Sequence, residues 1–297
     1  MQIKKNNFFY KLYQLSTPEM WLDLFLPILL GAAISLNLNS QFNFLYFIIT
    51  AAAFLTFIIS ANSWIKYFFT MSENFQKESN LYQLVYYFYF NSKKRKHKNK
   101  RINIGKKTLI HTAIITTLLL IIFSILSIRI NQYLLLLTLT SILLFMIYIY
   151  LQIKMIDSFF DELIIGLLSG PLLISISYLI QSGSYDISVI IISLPISLFV
   201  INLRWVSQHN RKYSYKGFKV LLLFIYASYA VIFAIFNNIL FLFLYISLPI
   251  VMYKVNKNKK SLYYNSNFNL INFSRKFYYY NAVLLAALLV IDYIIRI

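Results

Sequence analysis

Nine stretches of mostly apolar residues, each 16 to 20 residues long, recur along the chain with short polar segments between them. They cover residues 21–38, 42–60, 109–128, 132–151, 162–181, 187–202, 218–236, 238–253 and 277–295. A helix rising about 1.5 Å per residue needs about 20 residues to cross a hydrocarbon core about 30 Å thick. Each stretch therefore has close to the length of one crossing. Inside lipid a run must satisfy its own backbone groups, and these runs lack the alternation of a barrel strand, so they are helices. Turns such as Asn39-Ser40-Gln41 and Asn237-Asn238 are short enough to force antiparallel hairpins. Apolar residues make up 60% of the 297 positions and charged residues 12%, where a soluble domain carries about a quarter. The fold class is all-α: a polytopic membrane protein of about nine transmembrane helices.

The basic residues set the orientation. With the N-terminus inside, 26 of the 28 Lys and Arg fall in inward segments, and only Arg129 and Arg296 fall outside. The positive-inside rule thus predicts a cytoplasmic N-terminal segment (1–20), a single membrane domain (21–297), a large basic cytoplasmic loop (61–108) and an outside C-terminus. The net charge of +19 follows from this topology, and no nucleic-acid partner is needed to account for it. The run Lys93 to Arg101 in that loop reads as a solvated topogenic segment against anionic lipid. Residues 81–90 are too short to span and read as interfacial. Residues 1–20 contain Lys4, Lys5 and Lys11 but no apolar core ending at a small-residue cleavage site, so the first span is expected to be retained. The expected location is a cell membrane, of the prokaryotic inner or plasma type.

Soluble-enzyme chemistry finds no foothold. There is no cysteine, and no Walker loop, dinucleotide turn, zinc spacing or Ser-His-Asp arrangement. Asp23 and Asp292 lie within spans, where an acid is costly and faces a cavity or a partner; for Asp292 that partner is expected to be Arg296. His111 reads as a hydrogen-bonded interfacial residue.

The fifth span carries Asp161-Glu162, Gly166, Gly170-Pro171, Tyr178, Gln181 and Gly183 in order. A proline there frees a carbonyl and bends the helix, and Gly170 lets a neighbour approach closely. Thr17-Pro18, Pro27 and Gly31 mark the first span, and Ser60-Ala61-Asn62 ends the second. Asn202-Leu203-Arg204, Arg211-Lys212 and Lys216-Gly217-Phe218-Lys219 follow the sixth. This ordered set resembles the UbiA-type membrane prenyltransferases, and among them the dihydroxynaphthoate polyprenyltransferases of menaquinone synthesis. The resemblance covers essentially the whole chain. It implies a UbiA-like bundle that binds a prenyl diphosphate, ionises it to an allylic cation and transfers the prenyl group to an aromatic acceptor. It also implies Mg2+ held by carboxylates in two inward loops.

Those carboxylates are absent. Where the pattern expects them the chain has Lys66, Phe69 or Thr70, Trp205 and His209, and residues 203–219 hold no acid; Glu73 and Glu78 lie farther along the first loop. No metal ligands are assigned. Two readings follow. In one, cationic contacts replace the metal: Lys66, Arg204, Arg211 and Lys212 hold the diphosphate, Asn62 and Asn202 orient it, and Lys66 and His209 take catalytic roles. In the other, the chain is an inactive isoprenoid-binding or partner subunit of a membrane biosynthetic or export system. A small transporter ranks below both, since equivalent halves show no paired Gly/Pro-interrupted spans.

Overall fold

The computed structural model describes residues 21–71, 106–129, 131–153, 159–208, 211–257 and 268–297. The segments Thr17-Pro18, Glu73, Glu78, 81–90, the basic run 93–101 and His209 lie outside these residues. Among the described residues there is no strand. Nine helical rods appear there: α1 (Trp21–Asn39), α2 (Phe44–Met71), α3 (Lys106–Ile128), α4 (Gln132–Ile153), α5 (159–182), α6 (Ser188–Gln208), α7 (Arg211–Phe236), α8 (239–257) and α9 (Phe268–Arg296). Six of them are long and apolar enough to cross a membrane: α2, α3, α5, α6, α7 and α9. The apolar stretches of α1, α4 and α8 are shorter, Phe25–Asn39, Gln132–Tyr148 and Ile239–Tyr253.

The short turns share one construction. Ser40 and Asn237 take positive φ (54° and 45°) and end α1 and α7, and Gly183 (φ 65°) ends α5. Left-handed backbone stops a helix, and Gly and Asn adopt it at low cost. An Asx side chain then caps the next helix. Asn43 Oδ1 accepts from Leu45 N (2.9 Å), Asn131 Oδ1 from Tyr133 N (2.8 Å), Asp186 Oδ1 from Ser188 N (2.8 Å) and Asn238 Oδ1 from Leu240 N (3.0 Å). Each cap satisfies a backbone donor that the first helical turn leaves orphaned.

These turns meet at one end of the bundle. The backbone N–H of Asn43 donates to Gln181 Oε1 (2.8 Å), Asn131 Nδ2 donates to the Gly183 carbonyl (2.7 Å), and Asn39 Nδ2 donates to Ser184 Oγ (2.7 Å). Asp292, fully buried near the end of α9, accepts from Asn37 Nδ2 (2.9 Å) and from Asn238 Nδ2, and pairs with Arg296 at 2.6 Å. Thus the partner expected of Asp292 is the one found, and Asn37 of α1 and Asn238 of the α7–α8 turn join it. Four charged residues mark this end, Arg129 and Arg296 against Asp186 and Asp292, so they cancel and the whole net +19 belongs to the remaining sequence. The opposite end, where α2, α4 and α6 finish, is called the basic end below.

The core is formed by α1, α5, α6 and α9, with α7 and α8 against α6 and α9. Glycines set the closest crossings. A Cβ on Gly31 would lie 2.6 Å from Ser177 Cβ, and one on Gly170 would lie 2.8 Å from Ser197 Cβ and 2.9 Å from its Cα. Small residues that let backbones approach are the usual adhesive where water supplies no hydrophobic drive. Around Pro171 the helix widens into a π turn (Leu168–Leu172) whose Ser169, Gly170 and Pro171 are buried. The chain continues as helix beyond it, because the wider turn absorbs the missing N–H.

Several helices outrun the apolar stretches. α2 continues to Met71, α7 begins at Arg211 and α9 at Phe268, so residues 61–71, read from sequence as the start of a loop, are helical. Hydropathy marks where lipid contact should end, whereas a helix with no Gly or Pro to stop it keeps its hydrogen bonds into the polar zone.

Candidate functional site

The helix α6 carries the second group of candidate residues, and its neighbours show which way each faces. Successive residues turn by about 100°, so positions three and four apart share a face. Phe199 meets Phe277 (5.1 Å between centroids) and Tyr278 (6.0 Å) of α9, so the stripe 199/202/206 faces α9. Ile201 and Ser197 abut Gly166, and Ser197 abuts Gly170, so the stripe 197/201/204 faces α5. Trp205 lies over Gly217 of α7, where an added Cβ would overlap its indole ring. Asn202 and Arg204, adjacent in the sequence motif, therefore belong to different faces.

Arg204 is 2% exposed, and its Nη2 reaches the Tyr148 hydroxyl of α4 at 3.5 Å, a long hydrogen bond. The α5–α6 crossing is antiparallel, since Gly166 meets Ile201 and Gly170 meets Ser197. One turn toward the basic end, on the facing stripes, stand Glu162 and Arg204. Glu162 is 1% exposed. A buried carboxylate and a buried guanidinium at one level fit the rule that interior charges occur with countercharges. Glu162 opens the fifth-span motif but was not assigned to the site in the sequence, and Tyr148 was missed. An acid at the mouth of an apolar span is the signal that marks Glu162, whereas one tyrosine among 25 gives none.

Asn62 is buried on α2, and its neighbours Ser60 and Trp64, about 200° round the helix from it, belong to a polar group shared with α3. Ser60 Oγ lies 2.8 Å from Thr117 Oγ1, which also accepts from Trp64 Nε1 at 3.0 Å. Among the described residues α2 and α6 do not pack along one another, and the main contact of α2 with α5 is in the half of α5 nearer the turns. The two candidate groups thus share the basic end without a shared seam. Lys66 lies in α2, and Arg211 and Lys212 open α7; the structure describes their backbone and not their side chains. His209 lies outside the described residues. His111, as expected, is hydrogen-bonded: its Nδ1–H donates to the Lys107 carbonyl at 2.5 Å.

No family model matches the chain, and no curated protein is significantly similar to it.

The donor set at the basic end decides how a metal fits. Trp205, at a position where the resemblance expects a carboxylate, is seated on Gly217, and a glycine at 217 is what makes room for the indole. Among the described residues no three His, Asp or Glu side chains converge as a metal site would require. Mg2+ prefers carboxylate and phosphate oxygens. The described residues at the second motif do not fit it.

Proposed function

We propose that the chain is a nine-span prenyltransferase-like membrane protein, N-terminus cytoplasmic, that holds a prenyl diphosphate with its head at the basic end. The observation that carries this reading is that Asn62, Glu162, Asn202 and Arg204 are all buried toward that end. In the proposed reaction the bond between the allylic carbon and the diphosphate oxygen breaks, its electron pair leaving with the diphosphate. A carbon of an aromatic acceptor bonds to the allylic carbon and its ring proton passes to a base, for which His209 is the candidate. Lys66, Arg211 and Lys212 would contact the leaving group, and Asn62 would orient it. Packed Arg204 would act as a buried positive charge, fixed in place from the α5 side by Glu162 and from the α4 side by Tyr148. Localisation in a prokaryotic cell membrane belongs to the same proposal.

The test uses purified protein in lipid nanodiscs with farnesyl diphosphate and dihydroxynaphthoate, with and without chelator. Prenylated product that survives chelation and falls about 10- to 100-fold in Arg204→Ala, as loss of a charged hydrogen-bonding group should cause, is the expected result. An unchanged rate in that variant would remove Arg204 from the site. A second reading has its own observation, the Trp205 indole seated where a ligand to the metal is expected: an isoprenoid-binding partner subunit without turnover. Tight farnesyl diphosphate binding with no product would favour it.

A further inference from the structure

One face of α9 carries three polar residues at the same angular position: Ser274, Asn281 and Asp292, all buried. Two of them are fully engaged. Asn281 Oδ1 accepts from the Tyr229 hydroxyl (3.3 Å) and from Ser247 Oγ (3.2 Å), while its Nδ2 donates to the Phe277 carbonyl (2.8 Å). Asp292 holds Asn37, Asn238 and Arg296. The third, Ser274 Oγ at the basic end, is buried with no hydrogen-bond partner, and so is Asn202 Oδ1. Both atoms lie on helices that pack against each other. Phe199 meets Phe277 and Tyr278, and α6 and α9 run antiparallel, so one turn toward the basic end places Asn202 opposite Ser274. Asn37 Oδ1, at the far end, is also without a partner, but its own Nδ2 already bonds Asp292 and the Leu289 carbonyl.

A buried polar atom left unsatisfied is costly, and native proteins keep few of them. Asn202 Oδ1 accepts only, and Ser274 Oγ–H can donate; a hydroxyl offers the complement, one donor and a lone pair. The neighbours select the kind of hydroxyl. Phe199 packs edge-on to Phe277, Phe273 stacks parallel to Phe277 (interplanar angle 2°), and Phe218 tilts against Phe273. Arg204 is on the other stripe, and Arg275 Nε donates to the Tyr279 hydroxyl at 2.7 Å. Among the described side chains the seam is therefore aromatic and polar, with no cation placed on it, and Phe273, its outermost ring, is partly exposed.

We infer that Asn202 and Ser274 form the hydrogen-bonding pair for the hydroxyl of an aromatic alcohol, the acceptor substrate, at the α6–α9 seam. This rests on the prenyl-transfer reading and moves Asn202 from the diphosphate to the acceptor. The hydroxyl donates to Asn202 Oδ1 and accepts from Ser274 Oγ–H, while the ring lies against Phe273 at the partly exposed edge of the seam.

Binding in nanodiscs, with empty discs subtracted, tests it without turnover. The probes are 2-naphthol and 2-methoxynaphthalene, which share a ring system but differ in the ability to donate. The wild type should prefer the naphthol about three- to tenfold, the worth of one hydrogen bond. Ser274→Ala, which removes a single oxygen, and Asn202→Leu should both lower the preference toward unity, and Ser274→Thr should restore it. Equal affinity for both probes in the wild type would mean that the seam takes a water and would overturn the proposal, as would a preference unchanged in Ser274→Ala. Farnesyl diphosphate binding measured on the same samples separates the failures: retained with no naphthol preference, only the acceptor site is lost; absent as well, the prenyl-transfer reading goes with it.

Discussion

The helices α2 and α5 have the same mean hydropathy and the same candidate span length of 21 residues, yet 78% of that window is buried in α5 and 17% in α2. The difference lies in the residues between the apolar ones. In α5, Gly166 and Gly170 admit α6 to within backbone contact, and Ser177 Oγ donates to the Ile28 carbonyl of α1 (2.8 Å). The helices α2 and α3 pair mainly with each other and present Leu45, Ile48, Ile115, Leu118, Ile122 and their neighbours outward. A soluble protein rarely exposes so broad an apolar surface; in lipid it is the ordinary exterior. Apolar content tells which helices can enter a membrane, and small and polar residues tell which of them become the interior.

Four substitutions break or sharpen this contrast, in falling order of effect. Leu118→Lys, on the outward face in the middle of α3, should cost about 2.5–3.5 kcal/mol of insertion if that face meets lipid. A glycosylation-reporter insertion assay measures it, and a negligible cost would mean the face is covered or wet. Gly170→Leu should cost about 2–3 kcal/mol, because Ser197 contributes backbone as well as side chain to the contact and cannot step aside. Thermal unfolding in detergent reports this, and an unchanged midpoint would remove α5–α6 from the centre of the fold. Asp292→Ala strands the amide donors of Asn37 and Asn238 and should cost about 2 kcal/mol by the same measurement. The Arg296 side of that pair is 47% exposed and adds little. Leu118→Ala should lie within about 0.5 kcal/mol of the wild type, since that side chain is 54% exposed.

Much of the architecture was legible in the sequence because it is written in long runs. The nine stretches correspond to nine rods among the described residues, and Asn39-Ser40-Gln41 and Asn237-Asn238 are the turns they were read to be. Hydropathy placed helix ends less well. Ser60, Asn62 and Lys66 read as a loop entry, but α2 runs through them because nothing in that segment forbids a helix. The candidate site was legible in part. Asn202 and Arg204 were identified, yet sequence adjacency hid that a turn of about 200° sends them to different neighbours. Ser274 carried no sequence signal, since a serine in an apolar helix acquires meaning only from what stands opposite. Gly217 shows the converse. It stood in the basic motif, and its structural use is to seat an indole.

The helix α8 deserves a last comparison with its own length. Its apolar stretch has only 15 residues, Ile239–Tyr253, too few for a crossing at the usual rise. Its first eight, however, form a 3-10 helix, Ile239–Ile246. That winding advances about 2.0 Å per residue against about 1.5 Å, so the eight residues cover about 16 Å in place of about 12 Å. The tighter coil is a thinner, longer rod, and it recovers about three-quarters of an α-helical turn of length for a segment that is short by residue count.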